Sequence, residues 1–67
     1  MNRIHYNVQG IRNSEEKTKL KNSLNKIDGV QMVNVDLARG TVEIGYNQPA
    51  DESQIKQGIE KGGFSII

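Results

Sequence analysis

The sequence predicts an α+β domain in which two helices cover one face of a four-stranded antiparallel sheet. Three observations predict it. Four short runs alternate apolar and polar residues with the period of a strand. Two other segments repeat aliphatic residues at helical spacing, each just after a capping residue. Glycines stand where those aliphatic stripes stop.

In the first run Ile4, Tyr6 and Val8 alternate with His5, Asn7 and Gln9, and Gly10 ends it. Ile11-Arg12 forms a short loop before Asn13, a residue type that caps helix N-termini well. Glu16 stands three residues on, the spacing of a reciprocal capping box. Glu15 and Glu16 also place negative charge in the first turn, where the helix dipole favours it. The helix is expected to reach about Lys26, burying Leu20, Leu24 and Ile27, and to stop before Gly29. In the second strand, opened by Val30, Val33, Val35 and Leu37 are expected to point inward. Met32, Asn34 and Asp36 point outward. Ala38-Arg39-Gly40 connects it to a third run, Val42, Ile44 and Tyr46, so the two strands form a hairpin. After the loop Asn47–Ala50, Asp51 caps a second helix with Gln54 three residues on and Ile55 and Ile59 on its apolar face. Gly58 on that face is expected to admit a close backbone. Gly62-Gly63 breaks the helix, and Phe64 and Ile66 alternate with Ser65 in a last short strand. This order is the ferredoxin-like βαββαβ plan. Its open sheet face is expected to show His5, Asn7, Gln9, Met32, Asn34, Asp36, Glu43 and Gly45 to solvent.

Composition narrows the function mainly by exclusion. A chain of 67 residues is expected to be a single domain spanning 1–67. Its net charge of +1 argues against a dedicated polyanion binder. No cysteine is present, which removes disulfides, thiolate nucleophiles and thiolate metal sites together. With one His and no Ser–His–acid grouping, catalysis has no footing, and no enzyme activity is expected. The open face carries no aromatic for base stacking, so no nucleic acid partner is expected. No apolar run approaches a membrane span and no signal-peptide core precedes the first strand, so no membrane insertion and a cytoplasmic location are expected.

The order of motifs resembles the heavy-metal-associated domains, the family of small copper chaperones and of the N-terminal domains of copper- and zinc-pumping P-type ATPases. Their pattern is strand, Gly-Met-x-Cys-x-x-Cys, helix, Gly-Val, strand hairpin, helix, Gly-Tyr or Gly-Phe, strand. Here the first part reads Val8-Gln9-Gly10-Ile11-Arg12-Asn13-Ser14-Glu15-Glu16, followed by Leu20, Leu24, Ile27 and Gly29-Val30 without a gap. Val33-x-Val35, Val42-x-Ile44-x-Tyr46, Ile55, Ile59-Glu60 and Gly63-Phe64 complete the match. The family's first cysteine falls on Asn13, its second on Glu16 and its methionine on Ile11.

The resemblance implies the fold and a role in metal trafficking, yet the donors differ in kind. Cu(I) is soft and prefers sulfur, whereas Asn13 and Glu16 offer only hard oxygens. Two such donors also make a poor zinc site, which takes four ligands with imidazole or thiolate among them. Met1 and Met32 hold the only sulfur atoms, and Met32 falls on the open face away from the loop. No cofactor and no metal at the loop are therefore expected; Asn13 and Glu16 are read as a capping box. His5 is read as a surface residue, its alternative being one ligand in a site shared with another molecule.

Three functions stand. The first is a protein-interaction or regulatory module that does not bind Cu(I). Its docking surface is Ile11, Arg12, Asn13, Glu16 and Lys17, with Phe64 nearby by resemblance. The second is a protein of a copper or zinc transport or chaperone pathway that binds metal through hard ligands or a shared interface. The third is a structural remnant. A protein partner is expected, a related domain or a P-type ATPase. Arg12, Lys17, Lys19, Lys21 and Lys26 suit an acidic partner surface; the alternative is a solvated face with Glu15–Lys19 and Glu52–Lys56 pairs. The chain is expected to be a monomer or a weak homodimer, since edge strands invite self-pairing.

Overall fold

The computed structural model describes residues 1–67. Its elements are β1 (Asn2–Gln9), α1 (Ser14–Asn25), β2 (Val30–Asp36), β3 (Thr41–Tyr46), α2 (Glu52–Lys61) and β4 (Ser65–Ile66). The strands form one antiparallel sheet in the order β2-β3-β1-β4, so both hairpin strands and both halves of the chain meet at the central β1–β3 pair. The register sets Ile4 opposite Ile44 and Tyr6 opposite Val42 on the helix-covered face, and His5 opposite Glu43 on the other. This is the expected ferredoxin-like arrangement.

Alternation builds the core. Val8, Val33, Val35, Val42 and Ile44 from the sheet meet Leu20 and Leu24 of α1, Ile55 and Ile59 of α2, and Phe64 before β4. No polar side chain is buried with them. Each helix begins at its expected cap. The Glu16 N–H donates to Asn13 Oδ1 at 2.9 Å, and the Gln54 N–H donates to Asp51 Oδ1 at 2.8 Å. Both cap residues have extended backbone, as N-caps require.

Gly29 is demanded by packing as well as by its φ of +100°. A Cβ there would collide with the Asn47 carbonyl oxygen and lie 2.7 Å from the Ala50 nitrogen. The Asn47 N–H donates to the Gly29 carbonyl at 2.8 Å, tying the end of the first half to the start of the second.

Several details differ from the sequence reading. β1 begins two residues earlier, at Asn2, because β3 is long enough to pair it there. Leu37 lies in the turn after β2, half-buried, rather than on its inward face; the hairpin closes by the Gly40 N–H donating to the Asp36 carbonyl at 2.9 Å. Gly58 faces side chains, not backbone: a Cβ there would lie 3.1 Å from Ile27 Cδ1 and 3.3 Å from Leu24 Cδ2. It therefore sets the spacing of the two helices. Gly45, expected to face solvent, is buried. Neither helical Glu–Lys pair closes; the one ion pair joins Arg39 and Asp36 at 3.9 Å. Glu52 instead accepts from the Tyr6 hydroxyl at 3.1 Å, and Lys56 Nζ stands 6.0 Å from the Tyr6 ring centroid. Burial first, then this hydrogen bond and the Glu52 charge, push the Tyr6 phenol up to about 12.

Two stability outcomes follow from this packing. Leu24 is fully buried, so Leu24→Ala is expected to cost about 2–5 kcal/mol in urea unfolding; unchanged stability would contradict its place in the core. Asn13→Ala is expected to cost about 1 kcal/mol while Asn13→Asp, which keeps an acceptor, costs little. Equal losses in both would contradict the capping role.

Candidate functional site

The β1–α1 loop is shaped from beneath. Gly10 leaves β1 with a φ of +106°, and a Cβ on it would lie 3.3 Å from Phe64 Cδ1. The Phe64 ring therefore forms the floor on which the loop rests. Ile11 is half-buried and packs against the core, anchoring the loop on its inner side. Arg12 and Asn13 are exposed, while Glu16 and Lys17 are half-buried. The loop tip is thus held at both ends: by an apolar foot at Ile11 and by the start of α1, where the Lys17 N–H donates to the Asn13 carbonyl at 3.1 Å.

Of the residues expected at a docking surface, Ile11, Arg12, Asn13, Glu16 and Lys17 are brought together by this loop and first turn. Phe64 is close to them but only 3% exposed. It supports the loop from inside and presents no surface to a partner, because the break at Gly62-Gly63 turns it into the core.

Asn13 and Glu16 are joined by the cap itself. The Asn13 side-chain oxygen is occupied by the Glu16 backbone N–H. The returning half of the expected capping box is not made: the Glu16 carboxylate forms no hydrogen bond to the Asn13 N–H. One helix turn thus carries an engaged amide and an unengaged carboxylate. No group of three or more His, Asp or Glu side chains converges anywhere in the chain to hold a metal ion. The two positions that match the family's cysteines thus offer oxygen, a hard donor, where Cu(I) prefers sulfur.

His5 is exposed on the open face, as expected. There it borders a shallow depression with Asn34, Asp36, Arg39 and Glu43 that runs round the β2–β3 turn to Lys17 of α1. What sequence reasoning missed lies in cross-strand neighbours: the Tyr6–Glu52 contact between β1 and α2, and the covering of Gly45. A glycine breaking the alternation of β3 was the one visible signal of the latter.

No helix is long and apolar enough to cross a membrane. Comparison with known proteins gives one consistent answer. The heavy-metal-associated domain family matches residues 5–65. The chain is 34% identical over 62 residues to the copper chaperone CopZ of Staphylococcus aureus (strain JH9), covering 91% of each chain. Its fold is that of the CopZ metallochaperone, with a TM-score of 0.95 and 31% identity over 98% of this chain and all of the other. It also shares its fold with the copper-binding domain from HMA7, a P-type ATPase, with a TM-score of 0.92 and 24% identity over 100% of this chain and 95% of that one. The family comprises metal-trafficking modules rather than enzymes, and the chain, with no cysteine anywhere, belongs to it as a heavy-metal-associated domain without the thiolate pair.

Proposed function

We propose that this domain acts in metal trafficking as a protein-interaction or regulatory module whose loop does not take up Cu(I). One observation carries the reading: at the two positions that match the family's cysteines stand Asn13 and Glu16, and the Asn13 oxygen is already used to cap α1. Oxygen donors of this kind do not compete with thiolates for a soft ion. The shape that relatives present to their partners is retained, so what the loop offers is a surface.

That surface is Ile11, Arg12, Asn13, Glu16 and Lys17, supported from below by Phe64. Arg12, Lys17, Lys19, Lys21 and Lys26 make its surroundings basic. It fits an acidic patch on a domain of the same fold, including one carried by a metal-pumping P-type ATPase. Such complementarity acts chiefly on association rate and partner choice. The likeness to a copper chaperone favours a second reading within the same pathway. In it the partner supplies the thiolates and this chain closes a shared site with Glu16 or His5.

The test is a ¹⁵N NMR titration of this domain with the Cu(I)-loaded N-terminal domain of a copper-pumping ATPase from the same genome. Shifts are expected to cluster at residues 11–17, and Lys17→Glu is expected to weaken and slow association. Glu16→Gln is expected to leave the affinity intact if the loop is a surface only; a loss there together with a changed copper spectrum assigns the shared site instead. Shifts confined to the far end of the sheet, or none at all, would overturn the docking surface.

A further inference from the structure

The open sheet face holds the chain's only two sulfur atoms, and the fold brings their side chains to one place. Residues 41, 43 and 45 of β3 face that side. Gly45 sits there between Arg3 on β1 and Met32 on β2. On a face otherwise exposed or half-buried it is buried, because Met1 folds over it. A Cβ on Gly45 would lie 2.8 Å from Met1 Sδ, 3.2 Å from Met1 Cε and 3.4 Å from Met32 Cβ. The Met1 thioether therefore occupies the notch left by the missing side chain, directly beside the stem of Met32.

Val30 pairs with Tyr46 and Met32 with Gly45, so the register slips by one between them and Gln31 is the extra residue of a bulge. From Met32 to Asp36 the register is unbroken, so Met32 faces outward, opposite Gly45, by alternation with Val33 and Val35. The bulge turns Val30 to the core side.

We propose that Met1 and Met32 form a thioether site for a soft monovalent cation, Cu(I) or Ag(I), over the Gly45 notch. Thioethers are the only soft donors this chain has, and soft donors select Cu(I) over the harder ions of the cell. Met1 as a whole is 63% exposed, so this end of the face is open to solvent. Arg3 flanks the notch in register, Met1 carries the N-terminal ammonium and Glu43 stands in the next row, so charge does not favour a cation there and the sulfur atoms must carry the binding. This site is on the opposite side of the sheet from the helices and is independent of the β1–α1 loop.

The experiment is a titration of the tag-free protein beginning at Met1, labelled with ¹³C-methyl methionine, with Ag(I) as the air-stable probe. Both methyl signals are expected to shift together and saturate at one ion per chain, while the amides of Asn13 and Glu16 stay in place. Met32→Leu, which keeps the volume, is expected to abolish the saturable shift of the Met1 methyl. Gly45→Ala keeps both sulfurs but fills the notch against the flexible end of Met1, and it is expected to abolish the shared shift as well. Methyl signals that do not move, that move at different silver concentrations, or a Met1 response untouched by either variant would overturn the proposal. Movement of Asn13 and Glu16 in addition to the methyls would count against the metal-free loop and not against this site.

Discussion

The hydrogen bond from the Glu16 N–H to Asn13 Oδ1 fixes what the β1–α1 loop can do. It gives α1 its first turn, and α1 delivers Leu20 and Leu24 to the core. The same two positions are where the family pattern places its cysteines. The Asn13 side chain is therefore used by the helix that holds the domain together, the Glu16 carboxylate is left unengaged, and neither is a polarizable donor. A chain with ten residues in its core cluster has little stability to spare, so a cap worth about 1 kcal/mol matters to it. The sequence at this loop is explained by folding alone, with no ligand invoked.

Around that loop the scaffold is conserved in shape rather than in chemistry. Phe64 fills the space under Gly10, Ile11 anchors the inner side, and Gly29 lets the two halves approach without a clash. These contacts hold the loop in a fold shared with the CopZ metallochaperone. A protein that recognises this fold would meet a familiar outline bearing an amide, a carboxylate and nearby lysines. On the proposed reading, function rests on what touches this surface, with the charge of the first helix selecting the partner.

Most of the fold was legible in the sequence because its signals are local. Period-2 alternation gave the four strands, and Asn13 and Asp51 marked the helix starts. Gly62 directly follows α2, and Gly29 stands four residues beyond the end of α1. The misread features depend on register between distant segments. Leu37 continues the alternation of β2, but the hairpin turn takes it. Phe64 does lie beneath the loop, as the family motif implies, with its other side in the core. The bulge at Gln31 and the burial of Gly45 arise only when β2 and β3 are paired, so no single segment announces them. At the candidate site the residue types were readable and their chemistry followed. The half-made capping box was not, because whether Glu16 reaches back is a matter of side-chain geometry.

The account stands on the claim that only the side chains at two positions separate this loop from a Cu(I) site, its backbone being already in place. The most direct test is Asn13→Cys combined with Glu16→Cys, made in a Met32→Leu background so that only the loop is read. Cu(I) binding is followed by competition with a chromophoric chelator, and the fold by circular dichroism. The account predicts a folded protein that takes one Cu(I) from the chelator where the Met32→Leu parent takes none. A folded variant that leaves the chelator loaded would contradict it, and so would a parent that strips the copper without any thiolate.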